Sequence, residues 1–130
     1  MQTDLTQLRP GNIIVVYPRE NQEGILSILE IQQSSVLCKM LIPRKGYLFR
    51  IQFDEINPLK LNKGWLAKAS FIQDPQDPDN WFYTNKSDQY QFTTSSGSFN
   101  QALQKRIIYV HELQNVFFQL TGKELTITIS

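Results

Sequence analysis

The stretch Tyr109-Val110-His111-Glu112-Leu113-Gln114-Asn115-Val116-Phe117-Phe118-Gln119-Leu120-Thr121-Gly122, continued by Lys123-Glu124-Leu125-Thr126-Ile127-Thr128-Ile129, decides how this chain is read. Val110, Leu113, Val116, Phe117 and Leu120 recur at three- and four-residue steps, which predicts one apolar stripe on a helix over about 110–121. Gly122 can adopt the left-handed backbone that closes a helix. Leu125, Ile127 and Ile129 then alternate with Thr126, Thr128 and Ser130, the period of a half-buried strand. The unit is strongly specified as structure, yet it carries no catalytic constellation.

Towards the N-terminus the pattern changes to short strands separated by turns. Arg9-Pro10-Gly11-Asn12 reads as a turn, and Ile13 to Tyr17 as a strand ended by Pro18. Ile25 to Ile31 and Val36 to Ile42 are the next two strands, followed by a turn at Pro43-Arg44-Lys45-Gly46. Tyr47, Phe49, Ile51 and Phe53 then share a face opposite Leu48, Arg50 and Gln52. A tight helical turn over 54–58 and a short strand over 59–61 complete the series. This layout predicts a small SH3-like (Tudor-like) barrel, with five-stranded sandwiches of other connectivity as the competing reading.

Strands 13–17 and 25–31 are apolar on both faces, whereas a solvated barrel strand shows one polar face. Something must cover the extra apolar face, and the C-terminal half is the available cover. The expectation is therefore one integrated α+β domain over 1–130, mainly antiparallel β. Its barrel-like part is 1–61 and its α+β part 62–130. Within the latter, Asn62 is a good N-cap for a short helix carrying Trp65, Leu66 and Ala69 on one face. Residues 81–84 and 89–93 predict a hairpin. Residues 101–110 are ambiguous, since Ala102-Leu103 favour helix and Ile107 to Val110 favour strand.

The whole-chain numbers exclude several function classes. With 41% hydrophobic residues the 130-residue chain can bury a core, which argues against global disorder. A net charge of +1 provides no global field to attract nucleic acid or anionic lipid. Cys38 is the only cysteine and His111 the only histidine, so neither an internal disulfide nor a structural zinc site is expected. Cys38 reads as a small core residue. The polar first residues and the lack of any long apolar run predict a cytoplasmic protein with no membrane association.

The block Tyr109 to Asn115, with Leu120 to Ile127 after it, resembles a group of small uncharacterised bacterial proteins of Bacteroides-type genomes, often within mobile or phage-like regions. Leu8-Arg9-Pro10-Gly11-Asn12 and the combination of Leu61, Trp65 and Leu66 extend the resemblance over nearly the whole chain. Lys63-Gly64 departs from it, since acidic residues are more usual there, and this implies a frayed start to the short helix. The resemblance implies fold boundaries and a mobile-element setting. It brings no activity, catalytic residue or cofactor.

Read residue by residue, the chain offers binding groups and no chemistry. His111 and Glu112 are adjacent on a helix and point in different directions. The six glycines are scattered singly, so no phosphate loop exists. The acidic pairs at Asp54-Glu55 and over 74–79 read as solvated turns. Arg44, Lys45, Tyr47 and Arg50, with Tyr17 and Arg19 close by in a barrel, place cations among aromatics, a pattern that can hold phosphates and stack on bases. Trp81 and Tyr83, with Phe82, offer an aromatic hairpin that could anchor a protein. The leading expectation is a non-enzymatic binding or adaptor protein with a protein partner and no cofactor or metal. A nucleic-acid module using the Arg44–Arg50 face is the alternative, and an enzyme of unknown type is third.

Overall fold

The computed structural model describes residues 8–19, 22–85, 88–99 and 106–128, and two antiparallel sheets account for most of them. The first contains β1 (Ile13–Arg19), β2 (Gln22–Ile31), β3 (Ser35–Ile42), β4 (Leu48–Gln52) and β5 (Asn57–Pro58), in the order β4-β3-β2-β1-β5. Between β4 and β5 lies a single 3₁₀ turn, Phe53–Glu55. The second sheet contains β6 (Ile72–Gln73), β7 (Asn80–Asn85), β8 (Asp88–Thr93) and β9 (Ser98–Phe99) in sequence order. Helix α1 (Lys63–Lys68) joins the sheets, and α2 (Val110–Thr121) packs between them.

The first sheet is open among the described residues rather than a closed barrel, because β5 is two residues long and pairs only with β1. The strand anticipated over 59–61 is displaced to Asn57–Pro58, and Lys60 makes only an isolated bridge to Tyr109. One face of this sheet buries Ile14, Leu26, Ile28, Val36, Cys38 and Ile51. The opposite face of β1 and β2 presents Ile13, Val15 and Ile25, which pack with Leu59 and Val110. The apolar surplus of these strands thus meets the start of α2.

Helix α2 runs over the residues its stripe predicts and stops at Gly122, whose φ of 73° is left-handed. Glu112 fixes its start by accepting the Ile108 and Tyr109 N–H groups, each at 3.0 Å. Val110, Leu113 and Phe117 are buried, but Leu120 is 43% exposed because the last turn stands clear of the core. Residues 125–128 alternate in burial without forming the expected strand. No strand edge among the described residues accepts them, and Thr128 N donates to the Lys68 carbonyl. Residue 129 lies outside the described residues. Helix α1 starts cleanly at Lys63, since Asn62 Oδ1 accepts the Trp65 N–H at 3.0 Å, which offsets the weak helix former Gly64. Of the ambiguous segment 101–110, residues 101–105 lie outside the described residues and 106–108 are neither helix nor strand.

A polar latch ties the N-terminal turn to α2. Gln114, 3% exposed, accepts the Ile13 N–H through Oε1 (2.9 Å) and donates Nε2–H to the Gly11 carbonyl (2.9 Å). Asn115 Oδ1 accepts from Asn12 Nδ2 (2.9 Å) and Arg9 Nε (2.7 Å), while Arg9 reaches on to Glu124 at 2.6 Å. The Arg9 guanidinium also lies 4.6 Å from the centre of the Phe118 ring.

Candidate binding surface

The β3–β4 hairpin concentrates exposed apolar surface. Tyr47, Leu48 and Phe49 are 54%, 61% and 41% exposed, although the alternating pattern places Tyr47 and Phe49 on the core-facing side. Only Ile51 of that face is buried, with Phe53 packed at the margin, because β4 is the outer strand and its first half extends beyond the core. Tyr47, Phe49, Met40, Pro43 and Arg44 line a groove of about 610 Å³ that also reaches Glu23 and Gly24. Lys45 is exposed in the adjoining turn.

The other sequence candidates separate. Arg50 follows Phe49 in β4 and so projects from the opposite face, where its Nη1 lies 3.5 Å from Ser35 Oγ. Tyr17 lines a second cleft of about 390 Å³ with Pro58, Trp65 and Tyr109, which adjoins the first groove at Glu23. Arg19 ends β1, and its side chain lies outside the described residues. Trp81 and Tyr83 are not a docking hairpin. Trp81 is 6% exposed, and Tyr83 is half-buried in a ring cluster 5.0 Å from Phe117, since the face of β7 that carries both packs inward against the helices.

Two features escaped sequence reasoning. The first is the weight of Leu48 and Phe49, for which three consecutive large apolar residues beside a turn were the available signal. The second is a pocket of about 370 Å³ in which Lys60 and Lys63 meet Arg106, far apart in sequence. No local pattern announces that meeting.

Asp79, from the acidic loop, orders the turn beside this pocket. It accepts hydrogen bonds from Ser95 Oγ, Ser95 N (2.7 Å) and Thr94 Oγ1. The Ser95 and Thr94 hydroxyls hold its carboxyl below the ordinary 3.8, and the Lys63 charge adds a smaller pull. A depressed folded value means that the stabilising contribution is present above 3.8 and is lost as pH falls through the lower folded value. Asp79→Asn is therefore expected to melt below the wild type at neutral pH, with the two melts converging in acid. A gap in melting temperature that persists unchanged in strong acid would refute this role.

The remaining reactive groups are sequestered. Cys38 is fully buried, and burial pushes its thiol up to about 11, so it is not a thiolate at neutral pH. His111 is 3% exposed and stacks on Tyr109 with ring centres 5.9 Å apart. Among the described residues no three His, Cys, Asp or Glu side chains gather as a metal site, and no helix is long and apolar enough to cross a membrane. No protein-family model, curated protein or solved structure matches the chain.

Proposed function

We propose that this chain is a non-enzymatic binding module that takes an extended segment of a partner protein along the free edge of β4. The observation that carries this reading is the placement of Leu48 and Phe49, large and exposed, on the outer strand of the first sheet, with exposed Tyr47 immediately before it. An outer strand offers unpaired backbone donors and acceptors to an incoming strand, and side-chain pockets beside it supply selectivity. The groove under Tyr47 and Phe49 is such a pocket. We read the connectivity as SH3-like: a four-strand meander, a 3₁₀ turn, and a fifth strand returning to β1, with residues 8–128 acting as one unit. The setting we propose is cytoplasmic, in bacteria, within the mobile-element context that the resemblance implies.

The same hairpin carries Arg44 and Lys45, which keeps nucleic acid as the second reading. Glu23 lines the groove beside Arg44 and would repel a phosphate chain laid along it, which favours the peptide. The test is a selection of displayed peptides on the wild-type chain, counter-selected on Tyr47→Ser with Phe49→Ser, alongside oligonucleotide binding across a salt series. Peptides that require both aromatics are expected, with nucleic acid held no tighter than about 10⁻⁵ M at physiological salt. Tighter, steeply salt-dependent oligonucleotide binding that Arg44→Ala abolishes, with no selected peptide, would overturn the ranking.

A further inference from the structure

The pocket between α1, β8 and the segment before α2 brings together Lys60, Lys63 and Arg106 above a floor of Leu66, Phe92 and Ile107. None of the three cations has an ion-pair partner among the described residues, whereas Arg9 pairs with Glu124. The carboxylate that senses Lys63, that of Asp79, is already engaged by Thr94 and Ser95. Like charges brought into one concavity repel, and an anion relieves that repulsion. The arrangement is held in place by the backbone. Ile107 N donates to the Gly97 carbonyl at 2.8 Å, and a Cβ on Gly97 would lie 2.5 Å from Arg106 Cγ and 2.8 Å from the Ile107 oxygen. Gly97 also has a φ of +66°, so glycine is what allows Arg106 to approach this closely.

We propose that this pocket binds a small phosphate monoester with an apolar or aromatic body, separately from the β4 edge. Its volume of about 370 Å³ falls within the range of small-molecule sites and far exceeds what a bare ion fills. The arginine fork and two lysine ammoniums match the charge and the several acceptor oxygens of a phosphate dianion. The core side chains of the floor would take the non-polar body, and Asn62 and Thr94 at the rim provide polar selection. A longer phosphodiester strand has no equivalent continuation, because the cleft that adjoins at Lys60 and Asn62 leads to Glu23.

The probe is phenyl phosphate, compared with inorganic phosphate and phenol, and followed through the backbone amide resonances of the full chain. Phenyl phosphate is expected to shift the amides of Lys60, Lys63, Ile107 and Ile108 saturably. Inorganic phosphate should bind about tenfold or more weaker and phenol not measurably, since each lacks half of the recognition. Lys63→Ala with Arg106→Ala should weaken phenyl phosphate by about tenfold or more, while both exposed truncations leave the melt nearly unchanged. Absence of saturable shifts at millimolar probe overturns the proposal, as does equal affinity in the double variant or a shift map centred elsewhere. Binding of an oligonucleotide through these residues without phenyl phosphate binding would also overturn it.

Discussion

Phe117→Ala is expected to destabilise the chain by about 3–5 kcal/mol, the usual cost of truncating a core aromatic. Phe117 is 2% exposed and meets Tyr83, Tyr90 and Phe99 edge-on, with ring centres at 5.0, 5.9 and 6.5 Å. Its loss would open a void where α2 meets the second sheet and would forfeit the aromatic edge contacts as well. The fall in melting temperature should be on the order of 10 °C or more. Phe118→Ala is the matched control, because Phe118 is 40% exposed and has Arg9 over its ring. It should cost less than about 1 kcal/mol. Equal effects from these neighbouring phenylalanines in calorimetry would mean that the helix is rotated from the orientation described.

The second large effect is expected at the latch. Gln114→Leu keeps the side-chain volume but removes the acceptor of the Ile13 N–H and the donor to the Gly11 carbonyl. Buried backbone groups left without partners cost about 1–3 kcal/mol each, so the loss should be on the order of 3 kcal/mol. Hydrogen exchange at Ile13 should accelerate first, because that amide loses its Gln114 acceptor. Gln119→Leu, on the exposed side of the same helix, should stay within about 0.5 kcal/mol of the wild type. If Gln114→Leu melts with the wild type, the Gln114 bonds do not contribute to holding the N-terminal turn against α2. A Gln114→Leu, Asn12→Ala double variant should lose less than the sum of its parts, since Asn12 sits in the same network through Asn115.

Much of this architecture was legible residue by residue. The stripe of α2, the stop at Gly122, the turn at Arg9–Asn12, the cap at Asn62 and the β7–β8 hairpin are all governed by neighbours a few positions apart. The apolar surplus on β1 and β2 also pointed to a cover, which Val110 and Leu59 provide. The candidate site was read less well. Arg44, Lys45, Tyr47 and Tyr17 are exposed near the hairpin or its adjoining cleft, but Arg50 projects to the other face and Trp81 fills the core. An aromatic run looks the same in sequence whether its strand ends over a core or beyond it. Phe49 is exposed because β4 is the outer strand, with Tyr47 just ahead of it, and Trp81 is buried because helices cover β7.

By itself, then, the sequence determined the span of α2 with its stop at Gly122, the cap of α1 and the order of the main strands, because backbone preference and periodicity act within a turn or two. That β1 runs on through Pro18 and that the fifth strand is displaced to Asn57–Pro58 did not follow from it. Only the tertiary structure decided that Leu120 stays out while Phe117 goes in, and that residues 125–128 lie against α1 without a sheet partner among the described residues. The same holds for the bonds from Arg9 to Asn115 and Glu124, which span 106 and 115 residues. It holds again for the meeting of Lys60 and Lys63 with Arg106. Such contacts follow from how whole faces pack against one another, and no local pattern in the chain encodes which distant residue a charged or polar side chain will meet.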